Sequence, residues 1–409
     1  MSKCIVVFAL LIGLVSCQSK QEEVQIVQEY EKGTFGYDLE FLAAYDSLVV
    51  LGSGDAQLIV SPGFQGKVFT STALGLEGKS FGWINYDAIS SQKTAPHINA
   101  YGGEDRFWLG PEGGQYSIYF APNSEIIFKN WQTPAGIDSE PWTLVSSSET
   151  SLQLSKSLQF KNYMGTTFEA EVDRVINLLT EGDLQRLLDI QLEEGIDWVG
   201  FESINTLTNT GPSAWSKESG TVCIWILGMF NPSDAATIVI PYVSGDENEL
   251  GPVATTDYFG EIPANRIAIR EGILYFKGDG KHRGKLGISP ARATDVAGSY
   301  DAENKILTVV QYDLPTEESL YMNQVWEIQD EPYKGDVINA YNDGPLENGD
   351  LMGPFYELET VSPAAFLDPE HSMTHTHRTF HFVGGKQQVN AIAEKIFGIS
   401  LEEISGVFD

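Results

Sequence analysis

The chain has 409 residues, of which 57 are Asp or Glu and 25 are Lys or Arg, so its formal net charge at pH 7 is −32. This charge argues against nucleic-acid binding, because phosphate backbones require a basic surface. It also argues against electrostatic binding to anionic lipid. Any association with a membrane would therefore depend on a covalent anchor.

The N-terminus has the pattern of a processed leader. Met1–Lys3 is positively charged, and Cys4–Val15 is an almost unbroken apolar run that is too short to span a bilayer as a helix. The run ends in "LVSC", which resembles the lipobox of bacterial lipoproteins, and the acidic residues behind it resemble the surface-export signals of Bacteroides-group lipoproteins. This resemblance implies a signal peptide over residues 1–16, lipidation of Cys17 and a tether over residues 17–30. A plain signal peptide with an incidental cysteine is the alternative.

The leader predicts a location in the bacterial cell envelope. The chain would be held at the outer membrane by its lipid alone, facing either the periplasm or the cell surface. Cys223 is then the only cysteine beyond the lipid site, and its apolar neighbours in "TVCIWILGMF" predict a buried small hydrophobe. No disulfide framework can be built from one cysteine.

Strand patterns dominate the rest of the chain. In "TTFEAEVDRVINLLT" apolar and acidic residues alternate from Phe168 to Asp173, as they do in a half-buried strand. The segments "RIAIREGILYFKGDG", "KILTVVQYDL" and "LYMNQVWEIQD" show the same alternation between Gly, Asp, Asn and Pro turn signals. With 40 glycines and 11% aromatic residues, the sequence predicts an all-β fold. No linker divides it, so a single domain over residues 31–409 is expected.

Clear helical spacing is confined mainly to the C-terminus. In "KQQVNAIAEKIFG" the apolar residues recur every three or four positions, and Gly398 suits the end of the helix. Ser400 and Glu403 have the spacing of a capping box, which predicts one further short helix.

Three segments together resemble the galactose mutarotase-like superfamily. They are "GGEDRFWLGPEGGQYSIYF", "NTLTNTGPSAW" and "FYELETVSPAAFLDPEHSMTHTHRTFHF". The resemblance implies a β-supersandwich with a concave groove that binds a mono- or oligosaccharide. More narrowly, "RFWLGPEGGQYS", "YNDGP" and "HTHRTFHF" resemble a Bacteroides-group lipoprotein family of unknown function.

The sequence also departs from the mutarotase pattern. Mutarotases place a sugar-binding histidine directly after the central Thr-Asn, whereas Thr210 follows Asn209 here. Their catalytic base is a glutamate on the strand before a Pro-containing loop, and this chain offers both Glu357 and Glu359 there. Epimerase, glycoside hydrolase and lyase chemistry therefore stay open, and so does glycan binding without catalysis.

Four of the six histidines lie in "EHSMTHTHRTFHF". If this segment is a strand, its histidines from position 375 onward share one face and Phe380 and Phe382 share the other. The two phenylalanines mark their side as buried, so the histidines are expected to face a groove or solvent. Candidate acid/base residues are Glu357, Glu359, His375, His377 and His381.

The same histidines allow a metal site. His375 and His377 could bind one divalent ion, with Glu357, Glu359 or His371 as a third ligand, although no third ligand is fixed by spacing. A sugar site without metal and purely structural histidines are the other interpretations. No cofactor is certain.

Candidate substrate contacts come from the segments that carry the resemblance. Glu112 in "GPEGG" could supply a second carboxylate for glycoside chemistry, or merely cap loop amides. Arg106 could clamp an acidic sugar, or form an internal salt bridge. The full predicted set is Arg106, Trp108, Glu112, Gln115, Asn205, Asn209 and Arg378.

A basic segment, "KGDGKHRGKLG", stands out in this acidic chain. It is typical of a solvated hairpin, with contact to an anionic glycan as the alternative. Taken together, the sequence predicts an envelope lipoprotein whose domain binds and processes a carbohydrate. A non-catalytic glycan-binding lipoprotein is the second hypothesis, and an envelope scaffold is the third.

Overall fold

The protein is described by a computed structural model over residues 29–315, 319–346, 349 and 351–408. The predicted signal peptide, Cys17 and nearly all of the predicted tether lie outside these residues. The described strands, in chain order, are β1 Val49–Ser53, β2 Ala56–Ser61, β3 Lys67–Thr72, β4 Arg106–Gly110, β5 Thr143–Ser147, β6 Ser151–Lys161, β7 Thr167–Leu178, β8 Ile196–Asn209, β9 Cys223–Phe230, β10 Ala236–Pro241, β11 Ile267–Arg270, β12 Ile273–Lys277, β13 Gly284–Ile288, β14 Val296–Asp301, β15 Ile306–Tyr312, β16 Ile338–Asn342, β17 Tyr356–Val361 and β18 Ser372–Gly384.

The strands form three antiparallel sheets. The largest has ten strands in the order β11-β12-β10-β14-β15-β18-β8-β7-β6-β5, and the second has five in the order β13-β16-β17-β9-β4. β1, β2 and β3 form a smaller third sheet. The prediction of an all-β fold is confirmed by this strand content; a single domain over residues 31–409 stays a prediction.

The five-stranded sheet packs with its inner face on the ten-stranded sheet. Leu358 of β17 and Ile226 of β9 point inward and share one apolar core with Leu207 of β8 and Val310 of β15. The Tyr356 hydroxyl lies 2.8 Å from Ser299 Oγ of β14, so a polar contact also joins the two layers. Because side chains alternate along each strand, the residues between these inward-pointing ones lie on the outer face of the five-stranded sheet.

The opposite face of the ten-stranded sheet is covered by the helices Glu181–Leu188, Lys386–Phe397 and Leu401–Ser405. Phe380 and Phe382 of β18 share a second core with apolar residues of the two C-terminal helices. The helices are α1 Phe35–Ala43, α2 Tyr86–Ser91, α3 Glu181–Leu188, α4 Glu247–Leu250, α5 Lys386–Phe397 and α6 Leu401–Ser405.

The predicted C-terminal helices are confirmed. Gly398 follows α5 with a φ of 73°, a left-handed conformation that glycine adopts without steric cost. Ser400 and Glu403 form the capping box that begins α6. None of the described helices is long and apolar enough to cross a membrane.

Most predicted strands are present, and one is wrong. β7 alternates buried and more exposed residues along its whole length, as its sequence predicts. "LYMNQVWEIQD" contains no strand, however, because the chain folds back on itself there. The Gln329 side-chain amide donates to the carbonyls of Asn323 and Val325, which satisfies groups that a neighbouring strand would otherwise bind.

Cys223 is buried as predicted, and burial raises the pKa of its thiol to about 12. The basic segment does not form the predicted hairpin within one sheet. Its first part ends β12 in the ten-stranded sheet, and its last part begins β13 in the five-stranded sheet. Arg283 and Lys285 consequently reach the outer face of the smaller sheet.

Candidate functional site

A cavity of about 650 Å³ lies over the outer face of the five-stranded sheet. Glu357 and Glu359 of β17 both face it, while Leu358 and Thr360 between and after them point into the core. The alternation of a strand thus places the two carboxylates side by side. The prediction that both glutamates face one hollow is confirmed.

Each carboxylate is paired with a cation from another strand. Arg106 of β4 forms an ion pair with Glu357, and Lys285 of β13 donates to Glu359 at 2.9 Å. The indole N–H of Trp225 on β9 donates to the same Glu359 oxygen at 2.9 Å. All five side chains are buried, so these charges form a fixed floor for the cavity.

The two ion pairs cross each other. Lys285, Tyr341 and Glu357 lie in one row across the sheet, and Glu359 lies in the next row with Leu227 and Arg106. Each cation therefore binds the glutamate of the neighbouring row. This crossing ties β4, β13 and β17 together through side chains as well as through the backbone.

Glu112 faces the cavity from the loop after β4. Its backbone N–H donates to Gln324 Oε1 at 2.5 Å, and the Ser117 hydroxyl donates to its carbonyl at 2.6 Å, so the turn is held on both sides. Burial raises the pKa of the Glu112 carboxyl, and the nearby Lys285 ammonium only partly opposes this. Burial likewise raises the pKa of Glu357, against the effect of Arg106 and with a further contribution from Glu359.

Tryptophans form the walls. The rings of Trp108 and Trp225 meet edge to face with centroids 5.6 Å apart, and Trp131 and Trp326 are also 5.6 Å apart. All four line the cavity. Such surfaces offer flat apolar faces beside the charged floor.

Several polar atoms of the cavity lining are not satisfied by protein groups. In the described part of the chain, Glu359 Oε1, Trp131 Nε1 and Arg106 Nε are buried without a hydrogen-bond partner. Buried polar atoms are normally paired, so a ligand or water that supplied hydroxyl groups would complete their bonding.

The histidines lie elsewhere, and their predicted location is wrong. His375, His377 and His381 are buried between the two large sheets, on the far side of the five-stranded sheet from the cavity. The prediction failed because it treated the face of Phe380 and Phe382 as the only buried one. Both faces of β18 are covered, one by the smaller sheet and the other by helices.

Each histidine has a protein partner. The Thr360 hydroxyl lies 3.0 Å from His375 Nε2 and 2.9 Å from His377 Nδ1, and His381 Nε2 lies 2.8 Å from Glu104 Oε2. A hydroxyl therefore occupies the position between the histidines where the predicted metal would lie.

The predicted metal site is not formed. Across residues 29–315, 319–346, 349 and 351–408, no three His, Cys, Asp or Glu side chains are grouped to hold an ion. Glu357 and Glu359 are separated from the histidine pair by their own sheet, and His371 is an exposed turn residue.

Four predicted substrate contacts also lie outside the cavity lining. Asn205 accepts from buried Arg174 at 2.7 Å inside the core, and Asn209 donates to the Leu367 carbonyl. Arg378 forms ion pairs with Glu202 and Asp313. Gln115 binds the backbone of Gln329 and so supports the segment that carries Trp326.

Arg106, Trp108 and Glu112 do line the cavity, as expected for substrate contacts. Sequence reasoning missed Arg283 and Lys285 as site residues. Their concentration in an acidic chain could have indicated a site, but it was interpreted as a solvated turn. It also placed no weight on Trp225 or Trp326, which become neighbours only through sheet pairing and loop packing.

We expect the protein to lose much more stability when one partner of the buried pair Lys285–Glu359 is replaced than when both are replaced. Lys285→Met leaves Glu359 charged and unpaired, which should lower the free energy of unfolding by about 3–5 kcal/mol. Adding Glu359→Met should recover most of that loss. Chemical denaturation checks this, with the half-exposed pair Lys156–Glu140 as a matched control expected to contribute at most about 1 kcal/mol. Equal losses in the single and double variants would contradict the prediction.

The buried histidines should make the fold sensitive to mild acid. Burial lowers the pKa of His375 to about 3, with repulsion from His377 adding to it, and burial lowers the pKa of His377 to about 4. Unfolded histidines take up protons near pH 6.5, so stability should fall as the pH drops from 6.5 toward 4. His377→Gln should reduce the stability difference between pH 7 and pH 5 by about 2 kcal/mol. Denaturant titrations at both pH values measure this, and His371→Gln in the exposed turn should leave the difference unchanged.

Comparison with protein families matches residues 33–408 to a family of unknown function, DUF6786. No curated protein matches the sequence. Among solved structures, a candidate aldose 1-epimerase from Escherichia coli is similar over 82% of this chain and 98% of that chain, at 13% identity and a TM-score of 0.49. A galactose mutarotase related enzyme from Lactobacillus acidophilus covers 82% and 97%, at 8% identity and a TM-score of 0.44.

A galactose mutarotase-like protein from Lactobacillus casei covers 82% of this chain and 100% of its own, at 10% identity and a TM-score of 0.44. At such TM-scores, function has to be argued from the chain's own residues.

Proposed function

We propose, for a chain that belongs to the DUF6786 family of unknown function, that the cavity over the five-stranded sheet binds a carbohydrate. One observation carries the proposal: a buried floor of paired charges lies beneath tryptophan walls. Sugar hydroxyls can donate to carboxylates and accept from indole and guanidinium groups, while the C–H face of a pyranose packs on an aromatic ring. A volume of about 650 Å³ is also in the range of small-ligand sites.

The carboxylates support acid–base chemistry on the bound sugar. Glu359 accepts from Lys285 and Trp225 and is the candidate base. Glu112, whose pKa is raised by burial, is the candidate acid in place of the histidines. Glu112 would give a proton to the ring or glycosidic oxygen, and Glu359 would take one from the O1 hydroxyl or from a water. Epimerisation at the anomeric carbon and cleavage of a glycosidic bond both use this pair of transfers.

A non-catalytic glycan-binding protein is the second candidate. Both carboxylates of β17 are already bound by cations, and an oxygen that is held in this way is a weaker base than a free one. In this case the floor would recognise hydroxyl groups without transferring protons.

A saccharide screen separates these alternatives. Wild-type protein is titrated with mono- and oligosaccharides by tryptophan fluorescence, and products are followed by NMR at the anomeric protons. We expect Glu112→Gln to keep binding but slow product formation by about 10²- to 10⁴-fold. Trp131→Ala should weaken binding about tenfold, since it removes one stacking face.

Glu202→Gln is the matched control, because Glu202 pairs with Arg378 outside the cavity lining. It should change neither binding nor turnover. Binding by the wild type without any product would favour the second candidate. If no saccharide bound, or if Trp131→Ala left binding intact, the cavity would not be a sugar site.

We also propose that Cys17 anchors the chain in a bacterial envelope. The support is the "LVSC" pattern behind a short apolar run, since a lipid on this cysteine would hold an acidic domain at a membrane that its charge does not attract. Expressed in a bacterium with a lipoprotein pathway, the wild type should incorporate a fatty-acid label and sediment with membranes. Cys17→Ser should lose both properties, and Cys4→Ser should retain them. Label that remained in Cys17→Ser would show that the lipid is attached elsewhere.

A further inference from the structure

The mouth of the cavity is apolar and open to solvent. Four residues that line the cavity are exposed at its opening: Ile127 by 44%, Phe128 by 52%, Leu346 by 37% and Leu351 by 45%. We refer to these four residues as the apolar rim. Single exposed hydrophobics are common, but several around one opening are typical of a binding surface.

The rim is continuous with the wall of the cavity. Phe128 stacks on Trp131 with centroids 6.0 Å apart and an interplanar angle of 25°, and Trp131 stacks on Tyr119 at 5.9 Å and 7°. Phe128 is exposed whereas Trp131 is buried. An aromatic surface therefore runs from solvent into the cavity without a polar side chain between these rings.

The charged floor and the apolar rim can bind different kinds of chemical group. The two ion pairs Arg106–Glu357 and Lys285–Glu359 come from sheet residues at the base and are buried, whereas Arg283 also lines the cavity and is only partly buried. The rim offers no charged group, and a free sugar would present hydroxyls there that find no partner. Covering the rim is favourable only for an apolar group.

We propose that the ligand is an amphiphilic glycoside, in which the sugar lies on the charged floor and an apolar aromatic or alkyl aglycone lies along the apolar rim. This inference rests on the proposed carbohydrate function and adds the substrate class. The aglycone would extend the stack of Trp131 and Phe128, and Leu351 would add to its apolar surroundings.

The test compares glycosides that share one sugar and differ in the aglycone. Methyl, phenyl and octyl β-glucosides, β-galactosides and β-xylosides are titrated against the protein by isothermal calorimetry. For the sugar that binds, the phenyl and octyl forms should bind about 10- to 100-fold more tightly than the methyl form, because they bury apolar surface on the rim. Equal affinity for all three forms would overturn the inference and leave the proposed function intact.

Rim variants locate the effect. Phe128→Ser combined with Leu351→Ser should reduce the advantage of the phenyl form over the methyl form, measured on the same variant, to about threefold or less. Met164→Ser is the control, since Met164 is exposed and does not line the cavity. An advantage that survives in the double rim variant would overturn the assignment of the rim.

Three further outcomes bear on this inference and on the function on which it rests. An octyl ether of tetraethylene glycol that bound as tightly as the octyl glycosides would show that the sugar is not recognised, and would overturn both proposals. The same holds if no glycoside binds. A dimer in light scattering that the double rim variant abolishes would instead assign the rim to a second copy of the chain, and would overturn the glycoside inference alone.

Discussion

The crossed ion pairs on the outer face of the five-stranded sheet are the interaction on which the candidate site depends. A buried carboxylate charge is costly unless a cation balances it, and Glu357 and Glu359 obtain their cations from different strands. Arg106 reaches across β9 from the edge strand β4, and Lys285 reaches across β16 from the other edge. The two ion pairs can therefore form only when the whole sheet is assembled, and once formed they hold its strands in register. The loops above the sheet then enclose the charged face instead of leaving it to solvent.

β17 serves two structural roles because its side chains alternate. Its outward residues form the floor of the cavity, and its inward residue Thr360 bridges His375 and His377 in the core. The polar core extends from there: buried Arg174 binds both Asp105 and Asn205. The three imidazoles and Arg174 are thus bound by other polar groups of the protein, which explains how imidazoles can be buried without a ligand, although Asp105 Oδ2 and Glu104 Oε1 have no partner among the described residues. β17 therefore contributes to the buried polar network with its inward face and to the floor of the cavity with its outward face.

The sequence predicted local structure and the candidate carboxylates well, because both follow from alternation along a single strand. β7 and the caps at Gly398 and Ser400 follow directly from residue spacing. The histidines could not be placed, because their environment depends on which layers cover β18, and this is decided by segments far away in the chain. Lys285 was missed for a related reason. Its neighbours at the floor, Glu359 and Trp225, are 74 and 60 residues distant, so only sheet pairing brings them together.

For the proposed carbohydrate ligand, the charges in the cavity favour a neutral sugar and one protonated carboxyl. The carboxyls that line it are those of Glu112, Asp343, Glu357 and Glu359, whereas the cations are Arg106, Arg283 and Lys285. If all were ionised, one negative charge would remain uncompensated in a largely buried space, and burial favours uptake of a proton instead. Burial raises the pKa of both Glu357 and Glu112, and within the described residues Glu112 has no ion-pair partner, whereas Glu357 is bound by Arg106. These two carboxyls are therefore the candidates for this proton. Since Arg106 is already engaged by Glu357, an acidic sugar would add a further unbalanced charge, and a neutral glycoside fits the cavity better.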